Sequence, residues 1–152
     1  MKTNRPAIIL RTVCAIMTII ILCAALSAPA GAAEGEASLG MLAKMAETVA
    51  AGKPFAVRVA VCAVMLNRTK AAGSTDTLPA VIASFVASVP GLAADYAAAA
   101  PDDRSLRAAA CAMRGGDPTR GAVRFAPSAD IPADIRESGR VRFESGGFAF
   151  WK

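Results

Sequence analysis

The chain has 152 residues, with 17 lysines and arginines against 12 aspartates and glutamates, so its formal net charge is +5. It contains no histidine, which excludes histidine-based zinc sites, serine–histidine–aspartate triads and cysteine–histidine dyads. No basic patch interleaved with aromatic residues is present, so the sequence gives no indication of nucleic-acid binding.

The chain begins with the pattern of an export signal. Lys2, Arg5 and Arg11 accompany an apolar run of about 17 residues, and small residues suited to cleavage follow it. Residues 1–33 are therefore predicted to be a signal peptide. The alternative is an uncleaved membrane anchor, although the run is short for a bilayer span. Removing the three basic residues lowers the net charge from +5 to +2.

The remainder is predicted to be a linker, residues 34–40, and one domain, residues 41–152, because about 119 residues suffice for a single core. Ser38 is placed to cap a first helix at about 39–51. The next helix, at about 54–69, is apolar nearly all round, so we expect it to be the buried centre of the domain.

Further elements follow in chain order. The last run, residues 140–152, alternates apolar and polar residues around Gly146 and Gly147, which predicts a terminal β-hairpin. Helices followed by short strands indicate an α+β fold. The elements before the hairpin are a helix at 78–89 with Thr77 as its cap, a short helix or turn at 92–100, a helix at about 104–114 capped by Asp102 or Asp103, and an extended piece at 121–127.

Two cysteines, Cys62 and Cys111, lie in predicted helices of the exported part. In an oxidising compartment they could form a disulfide. Alternatively, both are small buried hydrophobic residues.

One carboxylate is a candidate for chemistry. Glu47 is the only acidic residue between Glu36 and Asp76, and it lies near the C-terminus of its helix, beside the predicted buried helix. Burial and the negative end of the helix dipole both disfavour its charged form, as a general acid requires. The alternative is a surface glutamate at the edge of an amphipathic helix.

The segment 42–68 resembles the core of the SleB/CwlJ-type spore-cortex-lytic cell wall hydrolases. The family pattern is an E-A-R-G-E-P-like turn followed by an apolar helix ending in L-N-R. This chain has Glu47, the Gly-x-Pro turn and a V-M-L-N-R ending, with two extra residues in the turn. Segment 106–127, with its D-P-T-R-G-A turn, and the closing V-R-F-E-S-G-G-F-A-F-W-K also resemble the family, so the resemblance covers about 42–152.

The resemblance implies a mainly helical, lysozyme-like domain with a small C-terminal β-hairpin, acting on peptidoglycan as a lytic transglycosylase. By position, Glu47 matches the catalytic glutamate, which protonates the glycosidic oxygen and then accepts the proton of the muramic C6 hydroxyl. No cofactor or metal is implied, and the expected partner is the glycan strand. Candidate substrate contacts are Asn67, Arg68, Phe85, Tyr96 and Phe125, each with a structural role in the helix end or the core as the alternative.

Three positions depart from the family pattern. A Gln-Phe pair is replaced by Ser84-Phe85, an F-N-P segment reads Phe125-Ala126-Pro127, and a histidine of the final strand is replaced by Phe148. The departures leave open a catalytically impaired peptidoglycan-binding descendant of the same fold. A second rival is an amidase-type wall hydrolase, although the absence of histidine, and hence of a zinc site, speaks against it. The expected location is extracytoplasmic, in the cell wall or spore, with membrane attachment only through an uncleaved N-terminal segment.

Overall fold

The structure, a computed structural model, describes residues 30–71 and 73–152. Contacts divide the chain into two units, Met1–Gly35 and Glu36–Lys152, and the fold described below is that of the second unit. The predicted signal peptide, residues 1–33, lies almost wholly outside the described residues. Every helix in the described part of the chain is too short or too polar to cross a bilayer.

The domain is α+β, as the sequence predicts, and the helices come first. Asp102 caps the helix Asp103–Met113, because its side chain accepts a hydrogen bond from the Ser105 amide at 2.6 Å. A 3-10 turn and the short helix Ala133–Glu137, which the sequence did not predict, lie between the first two strands. The helices are α1 (Ala30–Ala50), α2 (Phe55–Thr69), α3 (Leu78–Ser88), α4 (Leu92–Ala98), α5 (Asp103–Met113) and α6 (Ala133–Glu137).

Helix α1 begins earlier than predicted. It starts at Ala30, so the segment 34–40, predicted to be a linker, is helical, and Ser38 lies inside the helix and does not cap it. Alanine and glutamate are good helix formers, and they extend the helix beyond the amphipathic part from which its start was predicted.

Helix α2 is the buried centre of the domain. Nine consecutive residues from Val57 to Met65 are buried, which confirms the prediction made from its continuous apolar sequence. Leu66 is only partly buried, because the helix emerges from the core over its last turn. The core also takes in apolar side chains of α1, α3, α5 and the last strand.

The strands form a three-stranded antiparallel sheet in the order β1-β3-β2, built from β1 (Arg124–Pro127), β2 (Val141–Ser145) and β3 (Phe148–Trp151). Gly146 and Gly147 make the predicted hairpin turn with φ values of +57° and +82°, a conformation that glycine adopts without strain. A Cβ at Gly146 would approach Pro54 Cδ to 2.9 Å, so the hairpin turn packs closely on the start of α2.

The core predicts a stability difference between two neighbouring residues of α2. Met65→Ala should lower the free energy of unfolding by about 2–5 kcal/mol, because Met65 is fully buried and its removal leaves a cavity. Leu66→Ala should cost clearly less, since Leu66 is partly exposed. Urea unfolding at constant m-value measures both, and an equal loss for the two variants would contradict this account of the core.

Candidate functional site

A buried arginine organises the site around Glu47. The Nη1 atom of Arg58 lies 2.8 Å from Glu47 Oε2, 2.7 Å from Asp102 Oδ1 and 2.6 Å from Ser105 Oγ. Ser105 Oγ in turn donates to Glu47 Oε2 at 2.8 Å. The Arg58 side chain is only 4% exposed, so a charged group of α2 ties α1 to the start of α5 from inside the domain.

This setting differs from the one expected for a proton donor. The Arg58 guanidinium at 2.8 Å and the Ser105 hydroxyl at 2.8 Å both contact Glu47 Oε2, so this carboxylate lies in an ion pair and not among apolar groups. Hydrogen bonds to the ionised carboxylate of Asp102, first of all from the Ser105 amide, lower the pKa of Asp102 below its ordinary value, although partial desolvation opposes the shift. The cluster is therefore an ion-pair network between three helices.

A separate groove collects the aromatic side chains. This aromatic groove encloses about 370 Å³. Ring centroids lie 5.2 Å apart for Phe85 and Phe125 and 6.2 Å apart for Phe125 and Phe148, so the three rings form one continuous surface. Among the described residues that line it, none is acidic. They are Thr48, Val49, Phe85, Val89, Leu92, Phe125, Ala126, Pro127 and Phe148.

Helix geometry separates Glu47 from this groove. Residues two positions apart on an α-helix point about 200° apart, so Val49 and Glu47 face nearly opposite sides of α1. Val49 lines the aromatic groove, whereas Glu47 faces Arg58 and Ser105. The assignment of Glu47 as the general acid stays a prediction.

In a different alignment of the family pattern, the catalytic glutamate corresponds to Val49. If the Gly and Pro of E-A-R-G-E-P are placed on Gly52 and Pro54 without extra residues, the first glutamate of the pattern falls on Val49. The loop between α1 and α2 is only Ala51–Pro54, which leaves little room for an insertion. The ungapped alignment was thus the sequence signal that could have drawn attention to Val49.

Asn67 holds the D-P-T-R-G turn together. Its Nδ2 atom donates to Asp117 Oδ2 and to the Ala122 carbonyl, each at 3.0 Å. Asp117 also accepts from the amides of Thr119 and Gly121 and from the Thr119 hydroxyl. These bonds give Asn67 the structural role that was the alternative to substrate contact.

Arg68, at the end of α2, lies beside the aromatic groove. Its Nε donates to the Val123 carbonyl at 2.7 Å, and its guanidinium carbon lies 5.0 Å from the centre of the Phe85 ring. Burial lowers the pKa of Arg68 below its ordinary value, and the positive charge of nearby Arg124 lowers it further.

Tyr96 lies in another part of the domain. Its hydroxyl donates to the Met41 carbonyl at 3.4 Å, and the Lys44 ammonium lies 5.2 Å from the ring centre. Tyr96 lines an apolar cleft between α1, α3 and α4. Of the five predicted substrate contacts, the structure brings Phe85, Phe125 and Arg68 together and places Asn67 and Tyr96 elsewhere.

The positions that depart from the family pattern are divided between two sites. Ala126 and Phe148 line the aromatic groove, while Ser84 lines a neighbouring pocket with Arg68 and Arg124. Phe148 also has the Lys53 ammonium 5.6 Å from its ring centre.

Within the described residues, Cys62 and Cys111 form no disulfide and are free thiols. Burial raises the pKa of the Cys62 thiol to about 12, so it is protonated at neutral pH and packs as a hydrophobic residue. Within the described residues, no three cysteine, aspartate or glutamate side chains are grouped as metal ligands would be.

The chain resembles solved structures of one kind. The catalytic domain of the Bacillus cereus SleB protein matches with a TM-score of 0.62 and 24% sequence identity, over 76% of this chain and 89% of that one. The chain has a SleB-type fold. The catalytic domain of the germination-specific lytic transglycosylase SleB from Bacillus anthracis matches with a TM-score of 0.61 and 24% identity, over 76% and 93% of the two chains. No protein-family model and no curated protein sequence matches the chain.

The turn around Asp117 predicts a pH dependence of stability. Burial opposes ionisation, but the hydrogen bonds from Thr119, Asn67 and Gly121 together lower the pKa of Asp117 below its ordinary value of 3.8. A carboxyl group whose pKa is lower in the folded than in the unfolded chain stabilises the fold at pH values above its unfolded-state pKa. That stabilisation is lost as the pH falls through the folded-state pKa.

Asp117→Asn should therefore destabilise the domain at pH 7 by about 1–3 kcal/mol, since an amide group cannot accept all four bonds. The difference from the wild type should shrink as the pH falls below 3.8. Urea unfolding between pH 2 and 7 measures the effect, with exposed Asp130→Asn as the matched control. A deficit that is independent of pH would contradict the role given to the carboxylate.

Proposed function

We propose that the protein is exported and binds the glycan strands of peptidoglycan in its aromatic groove, with little or no cleavage. The likeness in fold to SleB catalytic domains supports the choice of polymer, since one of those proteins is a lytic transglycosylase. The observation that carries the binding function is that the aromatic groove has an apolar floor where the acid of an enzyme would be expected.

The lining of the groove suits a sugar ring. Pyranose rings present a face of C–H groups that packs on an aromatic ring, and Phe85, Phe125 and Phe148 offer three partly exposed rings side by side. Thr48 adds a hydroxyl at the edge of the groove. An open groove of this kind accommodates part of a long polymer, as binding within a glycan strand requires.

Two cations flank the groove. Lys53 lies over Phe148 and Arg68 over Phe85, so each outer ring carries a positive charge beside it. Peptidoglycan bears free carboxylates on its peptide stems. A cationic rim therefore favours this polymer over a neutral polysaccharide.

Cleavage needs an acid that reaches the glycosidic oxygen. Ala126 and Phe148 stand at the places of polar residues in the family pattern, and Val49 supplies no proton. Glu47 forms an ion pair with Arg58, and it is not among the described residues that line the groove. These features support binding without turnover.

The second candidate is the lytic transglycosylase that the resemblance implies, with Glu47 as general acid and base. It is favoured by the fold and by the partial exposure of the Glu47 side chain, which is 20% accessible. In this case the Arg58 contact would have to open when the glycan binds.

Co-sedimentation with purified sacculi tests the binding function. The wild type should pellet with sacculi, and Phe148→Ala should weaken binding about tenfold, because one stacking surface is removed. Lys53→Glu should weaken it about threefold through charge repulsion. Tyr96→Ala and Lys70→Glu are matched controls outside the groove. Failure of the wild type to pellet would refute the proposal.

Mass spectrometry of muropeptides distinguishes binding from cleavage. Sacculi incubated with the wild type or with Glu47→Gln should release no anhydro-muramic ends above a protein-free sample. Val49→Glu should generate them, because it places a carboxyl group in the aromatic groove, and Val49→Gln should not, because an amide cannot donate that proton.

The second candidate function predicts the opposite pattern. The wild type would release anhydro-muramic ends, and Glu47→Gln would reduce them by at least about 100-fold. Circular dichroism of Glu47→Gln checks that the domain remains folded after the carboxylate that pairs with Arg58 has been removed.

A further inference from the structure

A second pocket adjoins the aromatic groove and is basic. It encloses about 360 Å³ and is lined by Arg68 from the end of α2, Ser84 from α3 and Arg124 from β1, with Ser74 and Asp76 at its edge. Phe85 and Phe125, which follow Ser84 and Arg124 in the chain, line the aromatic groove. The two sites therefore lie side by side, each lined by neighbouring residues of α3 and β1.

The positive charge of this pocket, called the arginine pocket after Arg68 and Arg124, is not fully balanced by nearby acidic groups. Within the described residues, Nε is the only guanidinium nitrogen of Arg68 that forms a hydrogen bond, which leaves its two terminal nitrogens as donors. Asp76 lines the pocket, yet in the described part of the chain no ion pair joins it to Arg68 or Arg124. Two like charges beside one cavity, with unused donors and two serine hydroxyls, form a site for an anion.

Carboxylate suits the geometry of this pocket. A guanidinium group presents paired N–H donors that match the two oxygens of a carboxylate, and serine hydroxyls can add a further bond. A glycan in the aromatic groove would hold its peptide substituents beside the groove, and the arginine pocket lies there.

We infer that the pocket between Arg68 and Arg124 binds a carboxylate of the peptide stem of peptidoglycan. This inference rests on the proposed binding of glycan strands in the aromatic groove. The protein then binds two parts of the polymer: sugar rings in the aromatic groove and a stem carboxylate in the arginine pocket. Strands that carry stems should therefore bind more tightly than stripped strands.

The first experiment compares intact sacculi with glycan strands whose stems have been removed by an amidase, which leaves a lactyl carboxylate where each stem was attached. Both materials are treated with hydrofluoric acid to remove phosphate polymers. The wild type should bind the intact material about fivefold more tightly, the increment expected of an added exposed ion pair. Arg124→Gln should abolish that preference, and Asp76→Asn should increase it. Arg104→Gln, an exposed arginine that lines neither site, is the matched control.

Equal binding of Arg124→Gln and the wild type to intact sacculi would overturn the inference. So would an equal loss by Arg124→Gln on both materials, because that result means general attraction to an anionic polymer. Arg68 is left unchanged in this experiment, since its bond to Val123 and its contact with Phe85 also support the fold.

A second experiment separates this inference from the proposed function. Binding of a free stem tetrapeptide is followed by calorimetry at low salt, with the wild type and with Arg124→Gln. If the wild type binds the peptide and Arg124→Gln does not, but the wild type binds no stripped glycan, the role of the arginine pocket is supported and the glycan-binding proposal is refuted. If stripped glycan binds but the peptide does not, the arginine pocket has been misassigned.

Discussion

The ion-pair network around Arg58 is the interaction on which the arrangement of the domain depends. One guanidinium nitrogen contacts Glu47 of α1, Asp102 at the cap of α5 and Ser105 in its first turn. Because Arg58 is buried in the central helix, its charge must be paired inside the protein. Removing one partner of a buried ion pair costs about 3–5 kcal/mol, so Glu47 and Arg58 constrain each other's position.

This constraint determines which side chains reach the groove. If Glu47 is held against Arg58, helix geometry turns Val49 towards the aromatic rings. Glu47 pairs with Arg58, whereas Thr48 and Val49 are the residues of α1 that line the aromatic groove. The network thus connects α1, α2 and α5, and none of the described residues that line the aromatic groove is acidic.

Elements with a strong signal in the local sequence were predicted correctly. The continuous apolar run of α2 identified the buried centre, and two adjacent glycines identified the hairpin turn. The helix α6 was missed, because five residues between two turns give too short a periodic signal to read. The start of α1 was missed for another reason. Its first turns have helix-forming residues but no clear apolar face, so periodicity could not mark where the helix begins.

The sequence by itself determined the α+β class, the central helix, the closing hairpin and the likeness to the SleB/CwlJ family, because each of these follows from the order and spacing of residues along the chain. Only the tertiary structure decided which side chains share a site. Glu47 meets Ser105 across 58 positions of sequence, and Phe85 meets Phe125 in the aromatic groove. Tyr96 looks equally suited to sugars in the sequence but lies elsewhere. Residue type is a local property, whereas the direction in which a side chain points depends on how the helices pack.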